Sequence, residues 1–423
     1  MMTYDIAVVG AGASGLAAGI TAGRMLAGGM NAAPTARVVL LERLPRAGKK
    51  ILAAGNGRCN LGNRHVLEHP YHNREFAAPA LERFDAGAFF DSLGLAVHED
   101  DAGRLYPRSN MAASVLDALR FGAMRAGCEL RCDCPVTSIE KAPFVRTGAP
   151  NESADSLGWN VGGSGGASDG FLINERIAAR RVIIAAGGCA APAHGSDGSG
   201  FSLLRSLGHS IVQPRPALVQ MQANSPVLAM LKGLRVQGAI KIMKNGRVLR
   251  DSMGEILFAR DGLSGIAAME VSREAAPGCL AVLDLLPAYS IEELSALLTR
   301  WRENCPEYSD AQLLAGLLPG RVAQAAARVA PPLAGEGGLG ALAYACKNFA
   351  FDVTGTRGFA HAQVTAGGAD VREFDPHTMQ SRIVPGLYAC GEALDVDGGC
   401  GGFNLQWAWA SGALAARCAA VGS

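Results

Sequence analysis

The stretch from Tyr4 to Glu42 constrains this chain more than any other. Tyr4-Asp5-Ile6-Ala7-Val8-Val9 is a short apolar run of the kind a buried parallel strand requires. Gly10-Ala11-Gly12-Ala13-Ser14-Gly15 follows without a gap, and Leu16 to Ala27 reads as a helix of small residues. Arg37-Val38-Val39-Leu40-Leu41 is a second apolar run, and it ends in Glu42. Strand, glycine turn, helix, strand and acid, in that order, are the dinucleotide-binding fingerprint in its required context.

Each position has a physical task. Gly10 lets the chain turn out of the strand, Gly12 lets a pyrophosphate approach the backbone, and Gly15 lets the helix pack on the strand. The helix N-terminus then stabilises phosphate charge. Glu42 is placed to accept hydrogen bonds from ribose hydroxyls, which favours an unphosphorylated ribose. It arrives later than the usual spacing of about 20 residues, because Gly28 to Pro34 lengthens the helix-to-strand loop. Gly335-Glu336-Gly337-Gly338-Leu339-Gly340 fits the same glycine pattern, but it follows Pro331-Pro332 instead of a strand and reads as a loop.

A chain of 423 residues with 49% apolar and 18% charged residues can bury a large core in two or three domains. The net charge of +1 offers no electrostatic case for nucleic acid or an acidic membrane. No basic leader and no 18-residue apolar run stand out, so a cytoplasmic protein is expected. The 11 cysteines include no CxxC pair, and Cys128, Cys132 and Cys134 match no common zinc spacing; reduced thiols and no metal are expected. His65, His69 and His72 surround Pro70 and read as loop histidines.

Glycines and cations fill Gly48 to Asn63, which reads as a loop able to wrap a phosphate or a polar ring. Phe84–Gly94 and Ala112–Ala126 read as amphipathic helices, and Glu129–Lys141 as an alternating strand. Strands are expected near Trp159–Val161 and Phe171–Ile173, with turn-rich insertions at Gly148–Ser153 and Gly162–Gly166. Arg180–Ala186 is a buried strand running into Gly187-Gly188, and Gly195–Gly200 opens a short helix to Leu207. After Pro214 the composition shifts: residues 217–285 read as antiparallel strands and 291–330 as helical. The first style returns at Gly367-Gly368, the strand Gly386–Cys390 and a helix from Leu405 to Arg417 with Asn404 as its N-cap.

Gly10–Gly15, Gly55–Asn63, Val182–Pro192, Pro214–Val219, Val364–Gly368 and Gly386–Ala410 together resemble a bacterial family of two-dinucleotide-binding-fold flavoproteins. Its members are described as FAD-dependent oxidoreductases, aminoacetone oxidase-like or 3-dehydro-bile-acid reductase-like. The resemblance implies an α/β fold: a discontinuous Rossmann-like FAD-binding domain (1–194 and 356–423) and an inserted β-rich domain with a helical subdomain (195–355). That insert is expected to close over the flavin and set substrate choice. Implied cofactor contacts at the N-terminal end are Gly10, Gly12, Ala13, Ser14, Gly15, Glu42, Arg43, Lys50, Gly57, Arg58, Cys59, Asn60 and Val136. Further on they are Ala186, Gly187, Gly188, Gly391, Glu392, Asp397, Gly402, Asn404 and Leu405, with the terminal helix start facing the ring. Ala54, Gly62, Ala186 and Cys400 stand where hydroxyl residues are usual, so the cradle would be backbone there.

The expected activity is hydride transfer between FAD and a small organic substrate. NAD(P)H is a candidate transient donor, since no second fingerprint exists for a resident nicotinamide. A flavin-binding sensor without turnover is the alternative. No catalytic acid or base stands out; Arg58, His194, Arg357 and His361 qualify only by lying near flavin-like loops.

Overall fold

A computed structural model describes residues 2–27, 37–144, 168–331 and 338–421. The expected strand near Trp159, the insertions at Gly148–Ser153 and Gly162–Gly166, the Gly28–Pro34 loop and Gly335–Gly337 lie outside them. The chain divides into two compact units, Met1–Pro214 with Val364–Ser423, and Arg215–Gln363. The division falls at Pro214, where composition shifts, and not at the expected 195 and 355. The helix Ser199–Ser206 therefore belongs to the first unit.

The first unit is built on one sheet. Its strands are β1 (Met2–Val9), β2 (Val38–Leu41), β3 (Glu129–Arg131), β4 (Ile139–Phe144), β5 (Ser168–Ile173), β6 (Ile177–Ile184) and β7 (Leu387–Ala389). The order is β3-β2-β1-β6-β5-β4, and β7 also pairs with β6. β1 runs parallel to both neighbours, with Val8 opposite Leu40 and Ile183, and β7 adds a parallel pairing of Tyr388 with Ile183. Ile6, Ala7 and Val8 have no exposed surface, as a strand covered on both faces requires. The covering helices include α1 (Ala13–Leu26), short α2 (Lys49–Ala53) and α3 (Phe403–Val421). α1 and α3 meet so closely that a Cβ on Gly412 would collide with the Ser14 carbonyl.

Several local expectations change. Gly48–Asn63 is not one loop: Lys49–Ala53 is helical and Ala54–Gly57 forms a tight turn with Gly55 and Asn56 left-handed. Glu129–Lys141 is two strands, because Asp133 takes a positive φ of 51° and Pro135 cannot donate to a ladder. The helix expected over Phe84–Gly94 contracts to Ala86–Asp91, capped by the Asp85 carboxylate.

The second unit contains a closed barrel of the strands Met221–Asn224, Gly262–Ser264, Arg247–Ala259, Arg235–Lys244, Leu280–Asp284 and Phe349–Thr356. Phe258, Phe349 and Phe351 fill its core. Helices Ile291–Asn304 and Asp310–Leu314 each begin with a capping box, from Ser290 with Glu293 and from Ser309 with Gln312.

Candidate cofactor site

The three fingerprint glycines do three different things. A Cβ on Gly10, whose φ is 99°, would press on the Ala185 carbonyl at 2.6 Å, and one on Gly15 would overlap the Gly10 carbonyl. Those two serve packing. A Cβ on Gly12 would meet no protein atom within 4 Å, so the space in front of the α1 N-terminus is clear. α1 has no acid in its first turn and no side-chain cap at Gly12. Its leading N–H groups form an unopposed positive end, suited to phosphate.

Glu42 is buried at the end of β2. Its Oε2 accepts from the Ala11 N–H (3.0 Å) and its Oε1 from the Leu44 N–H (2.9 Å). The carboxylate thus braces the glycine turn, and each oxygen keeps a lone pair for a ribose hydroxyl. The Cys134 N–H donates to the Glu42 carbonyl (2.8 Å), which lays the segment leading to Val136 beside the β2 end. Arg43 is committed to an ion pair with Asp197.

Loops from opposite ends of the chain meet beside this turn. A Cβ on Gly391 would press on Ser14 Oγ at 2.8 Å, and the Gly391 N–H donates to Ser411 Oγ (2.9 Å) on α3. The neighbouring Glu392 accepts from Lys50 Nζ (2.6 Å) and from the Thr365 N–H (2.9 Å). Thr365 Oγ1 in turn accepts the Cys189 and Ala190 N–H groups (2.8 and 3.0 Å), fixing the chain just past Ala186, Gly187 and Gly188. Gly402 has a φ of 95°, and a Cβ there would collide with Asn60 and the Gly62 carbonyl. Gln406 Oε1 accepts the Asn63 N–H (2.7 Å), Asn63 Nδ2 donates to the Gly401 carbonyl (3.1 Å), and Trp409 Nε1 donates to the Leu61 carbonyl (3.0 Å). Asn60 Oδ1 is buried without a hydrogen-bond partner among the described residues.

Some expected roles change. Asn404 is not an N-cap, because α3 starts one residue earlier, at Phe403. Its amide instead spans the glycine loop: Oδ1 accepts from the Gly398 N–H (2.9 Å), and Nδ2 donates to the carbonyls of Gly398 (2.8 Å) and Gly399 (3.0 Å). Burial pushes the Cys59 thiol up to about 12, so it stays protonated and is no nucleophile. Exposed Gly57 has nothing near its Cβ position, Arg58 lies over the Tyr106 ring (4.9 Å), and Leu405 packs on the core edge. Asp397 is buried, and its carbonyl accepts from the His72 N–H (2.9 Å). Among the residues weighed for catalysis, Arg357 pairs with Asp261 (3.0 Å) inside the second unit. Thr365 and Gln406 lie in stretches that carry the resemblance but have no role implied by it, and Ser411 and His69 lie outside them; the roles of all four come from long-range contacts. Among the described residues no His/Cys/Asp/Glu group could hold a metal.

The HI0933-like protein Rossmann domain matches residues 4–418. The chain belongs to this family. It is 34% identical over 440 residues to a 3-dehydro-bile acid delta(4,6)-reductase of Clostridium scindens, covering 98% of each protein. It is 30% identical to a ribosomal RNA dihydrouridine synthase of Escherichia coli, covering 97% of this chain and 96% of the relative. A solved 3-ketosteroid delta1-dehydrogenase from Sterolibacterium denitrificans shares the fold with a TM-score of 0.51 at 12% identity, over the full length of both. The protein is an FAD-dependent oxidoreductase. The open space at Gly12, the bare α1 N-terminus and the buried Glu42 fit that cofactor. No described helix is long and apolar enough to cross a membrane.

Proposed function

We propose that this enzyme reduces a carbon–carbon double bond conjugated to a carbonyl in a small organic molecule, with NAD(P)H binding transiently as the electron source. The observation that carries the reading is the junction of the 54–63 and 398–406 segments, which Gln406, Asn63 and Trp409 tie to each other. FAD supplies the two-electron carrier that takes hydride from a nicotinamide and gives it to the substrate. The protein's share is to bind the pyrophosphate at the α1 N-terminus, orient the ring by backbone at close-packed glycines, and keep water out with α3. The family member named for delta(4,6) reduction of a 3-dehydro compound supports a conjugated carbonyl, which makes the alkene a hydride acceptor. The net charge of +1 supports a small substrate over a polyanion.

The cofactor-binding role extends to Gly12, Ala13 and Ser14 of the fingerprint and to the 57–60, 186–188 and 391–405 positions named above, while Gly10 and Gly15 shape the turn that presents them, and the second unit is assigned the choice of substrate. The reaction runs in the cytoplasm, where the eleven free cysteines stay reduced. Turnover of NADPH deuterated at C4 with a cyclic enone tests the reading. One deuterium should appear at the β carbon and one solvent proton at the α carbon. Oxidation of amines with no alkene reduction would overturn it.

A further inference from the structure

The glycine loop of the cofactor site is anchored by a side chain that must be uncharged. The Gly399 N–H points at His69 Nε2, 2.7 Å away. A backbone N–H can only donate, so Nε2 is the acceptor and carries no proton. The imidazole is stacked on Phe403, the first residue of α3, with ring centroids 3.7 Å apart and planes 7° from parallel. Tyr71 meets it edge-on at 5.0 Å and donates its hydroxyl to the Phe403 carbonyl (2.7 Å). One His–Tyr pair therefore grips both sides of the Gly399–Phe403 span.

We infer that His69 is a positioning residue that holds the Gly398–Gly402 loop in its cofactor-binding form only while its imidazole is neutral. Protonation would set an N–H against the Gly399 N–H, cancel that anchor and put a cation on the Phe403 ring. Asn404, through Gly398 and the Gly399 carbonyl, and Asn63, through the Gly401 carbonyl, would then hold the loop without it. Charged and titratable groups lie near His69 on both elements. On its own segment, His65 pairs with Glu68 (3.3 Å), and His72 lies 3.2 Å from Asp395. On the glycine-loop side stand Asp395, Asp397 and Cys400. The Asp395 carboxylate already accepts from Asn73 Nδ2 (3.3 Å) and from the Gly367 N–H (3.0 Å), so its charge is shared among other donors. The inference rests on the placement of this loop at FAD.

The test is the rate of FAD release from the holoenzyme, followed by flavin fluorescence from pH 8 to pH 5.5, beside its thermal midpoint. His69→Gln keeps an acceptor that does not titrate, and His72→Gln controls for the neighbouring imidazole. Release from the wild type and from His72→Gln should quicken about tenfold as pH falls through the imidazole range, the loss of one hydrogen bond. Release from His69→Gln should stay flat. His69→Ala should release FAD about tenfold faster at pH 8 already. If His69→Gln follows the wild-type pH profile, His69 has no such role. If the thermal midpoint depends on His69 and pH while FAD release does not, the loop is not at the cofactor, and the inference falls with that placement.

Discussion

Valine at Gly12 should separate cofactor binding from folding. Gly12 has extended backbone (φ −81°, ψ −158°), which any residue adopts, and no protein atom lies within 4 Å of the Cβ position. The fold should therefore keep its stability to within about 0.5 kcal/mol, as for a surface change. Pyrophosphate binding should not survive, because the new side chain stands where the phosphate meets the α1 N–H groups. Losing two hydrogen bonds to a charged group, at about 1.5–3 kcal/mol each, amounts to about 3–6 kcal/mol, or roughly 10²- to 10⁴-fold in affinity. Gly15→Ala should behave in the opposite way. Its Cβ would overlap the Gly10 carbonyl, an overpacking that costs about 1–3 kcal/mol or more of stability. Urea unfolding and flavin fluorescence titration of the two variants measure both quantities. If Gly12→Val unfolds as early as Gly15→Ala, or holds FAD within tenfold of wild type, the division of labour among these glycines is wrong.

Trp409→Ala should cost about 3–5 kcal/mol in urea denaturation, since the indole is fully buried, packs edge-on against Phe90 at 5.4 Å and bonds the Leu61 carbonyl. Asn404→Ala should lower the thermal midpoint and speed FAD release through a loosened loop, at about 1–3 kcal/mol, with no change in α3 helicity by circular dichroism. Burial holds the His209 imidazole below its ordinary value, although Glu373 at 2.9 Å pulls it up. The folded state therefore binds that proton less readily than the unfolded chain. Its contribution is intact above the unfolded value of about 6.5 and is lost as pH falls from there through the lower folded value. Thermal midpoints from pH 8 to pH 5 should drop in that window, and His209→Gln should flatten the drop.

Much of the frame is legible in the sequence because it depends on local chemistry. Tyr4–Val9 reads as a buried strand from composition, and Gly10–Gly15 as a turn because its context is complete. Pro214 marks the unit boundary because the composition changes there. What escapes reading is set by distant partners. Asn404 looks like a cap in one dimension, and only the return of Gly398 and Gly399 to its amide shows that it ties a loop. His69 and His72 look like loop histidines, and they are, but their rings are bound to residues more than 300 positions away. Lys49–Ala53 reads as loop because its glycine flanks outweigh a helix of only five residues.

The most direct test of the central claim is anaerobic stopped-flow mixing of the NADPH-reduced enzyme with α,β-unsaturated ketones, followed at the oxidised-flavin absorbance. The account predicts rapid, saturable reoxidation by the conjugated ketone, which leaves as the ketone with its double bond saturated and two hydrogens richer, and none by its saturated counterpart. Reoxidation no faster with enone than with buffer, across cyclic and acyclic substrates, would contradict it.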